Sequence, residues 1–198
     1  MQSDLLALLA GRRGHFRMES GYHSELWFNL DRLFEDHARL QPFVDDLAGR
    51  LGAHRIEAVV GPMTGGAKLA TMIGDKLNIE SFRTERFATP NATGLFPVRY
   101  LVPTAQRERL RGKTVAIVDD AISAGSAVKG THADLLACGA QPVVCGALII
   151  FGDRAEAFAA ENNLKLETIA LMSFGMWKPG ECPLCKAGLP IEQVSDTP

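Results

Sequence analysis

The chain has 198 residues, of which 46% are hydrophobic, and this is enough for one domain with a substantial core. Its formal net charge of −2 offers no basic surface for a nucleic acid or an anionic membrane, so neither partner is expected. No apolar run approaches the roughly 20 residues of a membrane span, and four irregularly spaced cysteines are more typical of a reduced cytoplasmic chain than of a disulfide framework.

The N-terminal segment predicts a short amphipathic helix capped by Ser3 or Asp4. It lacks the basic start of a signal peptide, so none is expected. Residues 14–31 are polar and rich in aromatic side chains, with a turn at Ser20 and Gly21 and a strand predicted over residues 26–30.

Apolar residues at helical spacing predict an amphipathic helix over residues 37–51, and an apolar run at 56–60 predicts a buried strand. A loop of small residues then leads into another helix. Its central residues are Met63, Thr64, Gly65 and Gly66. The two glycines would let the backbone approach an anion closely, although an ordinary strand–helix turn has the same pattern.

A third strand is predicted over residues 79–84, and turn-forming residues mark 88–97 as a loop. The arginines at positions 107, 109 and 111 favour a solvated surface turn. Further along, an apolar run predicts a central strand over 142–150, Asp153 and Glu156 predict a capped helix, and residues 166–171 predict a last strand. This alternation of strands and helices predicts an α/β domain with a parallel sheet.

The most informative stretch is residues 114–138. A short β-branched run at 115–118 predicts a strand buried on both faces, and Asp119 and Asp120 follow at its carboxyl end. A helix that stops at Gly139 is predicted after them. Between the acidic pair and this helix lies a small hydroxylated loop formed by Ser123, Ala124, Gly125, Ser126 and Ala127.

This order of residues suits a sugar phosphate. Ligands of parallel sheets bind beyond the carboxyl ends of the strands, and a helix N-terminus favours a phosphate. The two carboxylates would repel a bare phosphate, but they can accept hydrogen bonds from ribose hydroxyls. A ribose 5-phosphate would therefore place its hydroxyls on Asp119 and Asp120 and its phosphate on the loop. A buried strand with a polar turn is the simpler alternative, and the chain has neither a Walker loop nor a dinucleotide fingerprint here.

The tail contains a Cys-x-x-Cys pair, Cys182 and Cys185. A structural zinc ion needs four ligands. Zinc binding would require Cys138, Cys145, histidines or a second subunit to approach the pair. Two free thiols are therefore the favoured interpretation.

The stretch from Val115 to Ala127 resembles the phosphoribosyl pyrophosphate motif of type I phosphoribosyltransferases. The loop from Gly61 to Gly66 is similar to the pyrophosphate loop of the orotate-specific members. Residues 14–31 are similar to their N-terminal hood, and the matching residues are Phe16, Ser20, Gly21, Ser24, Trp27, Phe28 and Asn29. The resemblance spans about residues 14–190. It implies a central parallel sheet flanked by helices, with a small hood and a flexible loop over 88–97. The whole chain would be one domain, with hood 1–36, core 37–172 and tail 173–198.

The resemblance also implies a reaction and a set of roles. Pyrophosphate at C1 of the ribose would be displaced by a nucleobase nitrogen, most simply that of orotate, with Mg²⁺ as cofactor and a homodimer as the assembly. Asp119 and Asp120 would hold the ribose hydroxyls and the metal, and residues 123–127 the 5-phosphate. Met63, Thr64, Gly65 and Gly66 would hold pyrophosphate. Phe28, Ser20 and Gly21 would contact the base, and Arg83, Glu85 and Arg86 would complete the catalytic set.

The chain departs from the family pattern at three positions. Glu19, Thr84 and Phe87 stand where the orotate enzymes have lysines. Arginines such as Arg86 or Arg99 would then have to stabilise the charge on the leaving pyrophosphate. Two alternatives follow: an enzyme that uses another base, because Glu19 disfavours an acidic one, or a non-catalytic ligand-binding regulator with the same fold.

Overall fold

The computed structural model describes residues 2–88, 95 and 98–194. Its helices within these residues are α1 (Gln2–Leu6), α2 (His37–Gly52), α3 (Gly65–Leu77), α4 (Thr104–Leu110), α5 (Ser126–Ala137), α6 (Arg154–Glu161) and α7 (Pro183–Lys186), with 3₁₀ turns at Leu30–Phe34 and Pro179–Glu181. Its strands are β1 (Ala10–Arg17), β2 (His23–Asn29), β3 (Ala58–Pro62), β4 (Glu80–Ala88), β5 (Val98–Leu101), β6 (Thr114–Ile122), β7 (Gln141–Phe151), β8 (Lys165–Met172), β9 (Met176–Trp177) and β10 (Glu192–Gln193).

The larger sheet has six strands in the order β5-β4-β3-β6-β7-β8. Every neighbouring pair is parallel except β4 and β5, which are antiparallel. The sheet order brings β3 and β6 side by side at its centre, with Val60 opposite Ile117. The predicted α/β fold with a central parallel sheet is therefore confirmed, and the loops that follow β3 and β6 open at the same edge.

Helices cover both faces of this sheet. One apolar layer contains Leu47 of α2 and Leu69 of α3 together with Val59 and Val118 of the sheet. The other contains Leu135 of α5, with Val60 and Ile117 facing it. Because β3 and β6 contribute to both layers, their apolar runs are continuous rather than alternating, as expected for strands buried on two sides.

A second sheet joins the two ends of the chain. Its order is β10-β1-β2-β9, so the N-terminal hairpin β1–β2 lies between two short strands of the C-terminal tail. His23 pairs with Trp177, and Phe16 pairs with Glu192. Hood and tail are thus one structural layer, although the division into residues 1–36, 37–172 and 173–198 remains a prediction.

The helix predicted over 37–51 and the strands predicted at 79–84, 142–150 and 166–171 are confirmed, with slightly different ends. Asp36 caps α2, since its carboxylate accepts from the Arg39 amide at 3.0 Å. The prediction that Ser3 or Asp4 caps α1 is wrong, since both residues lie inside the helix. Asp153 occupies the N-cap position of α6 as predicted, but its side chain makes no capping hydrogen bond.

The segment around Arg107 is a helix, α4, and not the predicted surface turn. Arg107 Nη1 donates to both carboxylate oxygens of Asp134 on α5, at 3.0 and 2.8 Å. Asp134 is buried and also accepts from the Val102 amide at 2.7 Å. A buried carboxylate needs such partners, so Arg107 has a structural role that the charge pattern did not reveal.

β8 is not the last strand, because β9 and β10 follow it in the tail. The predicted loop 88–97 lies outside the described residues except for positions 88 and 95. None of the described helices is both long and apolar enough to cross a membrane.

Candidate active site

The two predicted anion-binding loops touch each other. A β-carbon on Gly65 would overlap the Asp120 carboxylate, and one on Gly66 would lie 2.7 Å from Asp119 Oδ1. The loop after β3 can therefore pack on the acidic pair of β6 only because both positions are glycine. Met63, exposed, and Thr64 complete this loop, and the peptide bond between them is cis.

Asp119 and Asp120 lie within β6, which runs on to Ile122, and not just beyond its end as predicted. Both residues are buried, with 8% of Asp119 and 9% of Asp120 exposed. Burial raises the pKa of both carboxyls, and the neighbouring Asp120 charge raises that of Asp119 further. Each carboxylate accepts one local amide, Asp120 N at 3.1 Å and Ala121 N at 2.9 Å.

Such a pair is suited to a ligand that brings hydroxyl donors or a cation. No ion pair formed by the described residues includes either carboxylate. Their oxygens are the type of ligand that Mg²⁺ prefers. Two buried, like-charged carboxylates with unfilled acceptor capacity therefore fit a divalent cation, ribose hydroxyls, or both.

The loop after β6 has the geometry of a phosphate cradle. Gly125 has φ +78° and lies at the N-cap of α5, which begins at Ser126. The first amide groups of a helix lack helical acceptors, so those of Ser126 and Ala127 can donate to an anion. Ala124 is buried, and Ser123 Oγ donates to Met176 Sδ at 3.2 Å, which ties the loop to the tail.

Lys129 is a cation beside this loop that the sequence analysis did not select. Its Cε lies 3.5 Å from where a β-carbon on Gly125 would be. The signal that could have identified it is a lysine in the first turn of the helix that follows the loop.

A network of three side chains joins the hood to the core next to the acidic pair. Arg86 Nε donates to Glu19 Oε2, and Tyr100 Oη donates to Glu19 Oε1, both at 2.7 Å. Burial raises the pKa of Tyr100, with Glu19 adding to the effect, so its hydroxyl stays protonated. The charge of Glu19 also contributes to raising the pKa of Asp119.

The structure separates Arg83, Glu85 and Arg86, which are predicted to complete the catalytic set, into two groups. Side chains alternate along β4, so Arg83 and Glu85 project from one face and Arg86 from the other. Arg83 Nη2 donates to Glu85 Oε1 at 3.3 Å on an exposed surface. Of this set, Arg86 is the one whose contacts lead to the hood and the acidic pair.

The hood residues fall into two groups. Ser20 and Gly21 form the predicted turn, with Gly21 at φ +84° and its amide donating to Met18 O at 2.9 Å. Phe28 stacks on Phe151 with ring centroids 5.2 Å apart and also contacts Phe174. One face of the Phe28 ring is therefore used in packing, and its contact with a base stays a prediction.

Of the missing lysines, the one replaced by Thr84 has a physical explanation in this chain. Thr84 is fully buried, and its hydroxyl hydrogen-bonds the Thr131 hydroxyl at 2.8 Å. A lysine there would bury a charge without water. Phe87, by contrast, is exposed on β4 opposite Arg99 of β5.

Comparison with known proteins identifies the group to which this arrangement belongs. A family model described as a phosphoribosyl transferase domain matches residues 37–170. This chain is a member of the phosphoribosyltransferase family. The orotate phosphoribosyltransferase of Thermotoga maritima is 30% identical over 183 residues, which cover 91% of this chain and 89% of that protein. That of Caldanaerobacter subterraneus subsp. tengcongensis is 25% identical over 179 residues, which cover 90% and 87%.

Solved structures show the same type I phosphoribosyltransferase fold. Orotate phosphoribosyltransferase from Aeropyrum pernix superposes with a TM-score of 0.66 at 22% identity, covering 87% of this phosphoribosyltransferase and 94% of that chain. Adenine phosphoribosyltransferase from Trypanosoma brucei superposes with a TM-score of 0.68 at 14% identity, covering 85% and 78%. The backbone therefore does not distinguish between bases.

Proposed function

We propose that this phosphoribosyltransferase transfers the phosphoribosyl group of phosphoribosyl pyrophosphate to orotate, giving orotidine 5′-phosphate and pyrophosphate in pyrimidine biosynthesis. The observation that carries the proposal is the direct packing of Gly65 and Gly66 on Asp120 and Asp119 at the edge where α5 begins. The similarity to orotate-specific relatives supports the choice of base.

The three parts of the donor have three complementary surfaces. Residues 123–127, at the start of α5, would hold the 5-phosphate through backbone amides. Asp119 and Asp120 would accept hydrogen bonds from the ribose hydroxyls. The loop from Met63 to Gly66 would hold pyrophosphate, since its glycines leave the backbone accessible.

Catalysis would depend on positioning and charge rather than on a covalent intermediate. Mg²⁺ bound with the donor would offset the charge of pyrophosphate as it leaves. Asp119 and Asp120 are the residues that would hold this ion. Arg86 would contribute positive charge from β4, held in place by Glu19.

Glu19 does not argue against orotate once its contacts are considered. Both of its oxygens are occupied by donors from the core, one of them the cationic Arg86. The pairing with Arg86 offsets part of its negative charge. These contacts engage the carboxylate within the protein, so Glu19 need not select a base rich in N–H donors.

We further propose a homodimer in the cytoplasm, by analogy with the orotate enzymes. The base would approach the donor from the hood, where Ser20 and Gly21 form a turn between β1 and β2. Arg83 and Glu85, exposed on the other face of β4, are available for contacts with a second subunit.

The test is to measure orotidine 5′-phosphate formation from phosphoribosyl pyrophosphate, Mg²⁺ and orotate. Asp120→Asn should lower kcat/KM by roughly 100-fold or more, because removing a preorganised charge from a site of this kind has costs of that order. Asp153→Asn, at the exposed N-cap of α6, is the matched control and should keep full activity. Donor binding by the unaltered protein without any product would contradict the proposal and favour the regulator.

A further inference from the structure

Four potential metal ligands from distant parts of the sequence converge between the hood and the tail. We call them the His–Cys cluster, and they are His15 of β1, His23 of β2, and Cys182 and Cys185 of the tail. One ligand atom from each lies within 4.8 Å of all the others. Three members are buried and Cys185 is exposed. The two thiols are not joined in a disulfide.

Four of the six distances between the ligand atoms are close to those of a tetrahedral site. His15 Nε2 lies 3.2 Å from His23 Nδ1. His15 Nε2 is 3.5 Å from Cys182 Sγ and 3.6 Å from Cys185 Sγ, and His23 Nδ1 is 3.2 Å from Cys185 Sγ. Ideal zinc bond lengths in a tetrahedron give about 3.4 Å between two nitrogens and about 3.6 Å between nitrogen and sulfur. A single ion at the centre would therefore reach all four atoms.

A second contact orients one of the ligands. His15 Nδ1 lies 2.9 Å from the Leu189 carbonyl oxygen, which can only accept, so Nδ1 carries the proton. The lone pair of Nε2 is then directed at the other three atoms. A backbone carbonyl on the second nitrogen is the arrangement that metal-binding histidines usually have.

We propose that the His–Cys cluster binds a structural zinc ion that fastens the N-terminal hairpin to the C-terminal tail. Two thiolates and two imidazoles in a closed tetrahedron are a ligand set typical of structural zinc, and they leave no open position for catalysis. The missing ligands that made two free thiols the favoured interpretation of the tail are supplied by histidines more than 150 residues away in sequence.

A metal ion in the His–Cys cluster would hold the turn of the hood in place. His15 and His23 flank the turn that carries Glu19, Ser20 and Gly21. The strand pairings that join hairpin and tail are short, with two residue pairs on each side. A zinc ion would therefore supply much of the rigidity that holds this turn over the acidic pair.

The test begins with the zinc content of the full chain, made without a histidine tag and dialysed against metal-free buffer. We expect about one zinc ion per chain by mass spectrometry, as a closed four-ligand site predicts. A mercurial thiol reagent should release it, as followed with a chromophoric chelator. Cys185→Ser should lose the metal. Cys138→Ser, the same change at a cysteine outside the cluster, should keep it.

A second measurement guards against misfolding of the variant. The unaltered chain, stripped of metal and reloaded with Co²⁺, should show the strong visible absorption of a tetrahedral thiolate site. Stripping should lower Tm, and Zn²⁺ but not Mg²⁺ should restore it. A chain that contains no zinc and takes up neither Zn²⁺ nor Co²⁺ would overturn the proposal. So would a disulfide between Cys182 and Cys185 in the purified protein, or equal zinc content in both cysteine variants.

Discussion

Arg86 Nε donates a hydrogen bond to Glu19 Oε2 across 2.7 Å, and this ion pair connects the hood to the strand that precedes the predicted flexible loop. Glu19 is one of the positions at which the chain departs from the pattern expected of the orotate enzymes. In the structure it takes part in a contact of three side chains, with Tyr100 as the third member.

This contact predicts that Glu19→Lys, which introduces the residue of the orotate enzymes, will impair the protein. The lysine would face Arg86 and leave the Tyr100 hydroxyl without its acceptor. We expect a loss of about 1–3 kcal/mol in the free energy of unfolding, because a partly exposed charge pair and a half-buried hydrogen bond are removed together. Urea unfolding of Glu19→Lys measures this loss.

Glu35→Lys is the matched control, since Glu35 is exposed and its ion pair with Arg32 is weak, with Nε and Oε2 4.0 Å apart. Its effect should stay below about 1 kcal/mol. The double variant Glu19→Lys with Arg86→Glu should recover part of the loss by reversing the pair. Equal stability of Glu19→Lys and the unaltered chain would show that the contact contributes nothing.

The buried acidic pair should lower the stability of the free protein while it serves donor binding. The pKa of Asp119 is raised in the folded state, so the folded chain holds its proton more tightly than the unfolded chain. Stability is therefore lost as pH rises from the unfolded value of about 4. Asp119→Asn removes this penalty, and in metal-free buffer it should raise Tm by a few degrees at pH 8 and by less at pH 5.

The same variant should lose donor binding, because the amide cannot accept hydrogen bonds as a carboxylate does. Differential scanning calorimetry at both pH values measures the gain, and Asp153→Asn is the comparison. A lower Tm for Asp119→Asn at pH 8 would mean that the carboxylate is already compensated in the free protein.

The contact between the two loops predicts a specific intolerance at Gly65. An alanine there would overlap Asp120, so the loop or the strand must shift. We expect a loss of roughly 1–3 kcal/mol in stability together with loss of phosphoribosyl pyrophosphate binding by calorimetry. Gly49→Ala, in α2 with nothing within 4 Å of the added carbon, should instead stabilise by about 0.5–1 kcal/mol. Normal donor binding by Gly65→Ala would contradict the placement of the loop.

Arg107 and Arg109 lie on the same short helix but should behave differently. Among the described residues, Arg107→Ala leaves the buried Asp134 with the Val102 amide as its one remaining donor, which should cost about 1–3 kcal/mol. Arg109 pairs with Glu80 on the surface, so Arg109→Ala should cost less than about 1 kcal/mol. Chemical denaturation of the two variants under one condition compares them directly.

The sequence predicted most of the sheet and the phosphate-binding loops because these features are local. Each buried strand is a short apolar run, and each loop follows its strand immediately, as Gly65 follows β3 and Ser123 follows β6. The order of the strands and the contact of Gly65 with Asp120 depend on packing between segments far apart in the chain, so no local pattern encodes them.

What the sequence does not show has the same physical origin. The charge pattern around Arg107 predicts a solvated turn because its buried partner, Asp134, comes from another helix. The Cys-x-x-Cys pair predicts two free thiols, and both cysteines are free in the structure, but the histidines beside them come from the opposite end of the chain. Histidines at positions 15 and 23, eight residues apart and flanking a turn, were the only signal available in the sequence.

Transfer of the phosphoribosyl group to orotate is tested most directly by pyrophosphate release, measured with orotate and with adenine in parallel. The solved structures similar to this chain include an orotate phosphoribosyltransferase and an adenine phosphoribosyltransferase. We expect pyrophosphate to be released when phosphoribosyl pyrophosphate and Mg²⁺ are supplied with orotate, and not when they are supplied with adenine. Release with adenine and not with orotate would show that the enzyme uses adenine as its base. No release with either base, despite measurable binding of the donor, would show that the protein is not a catalyst of this reaction.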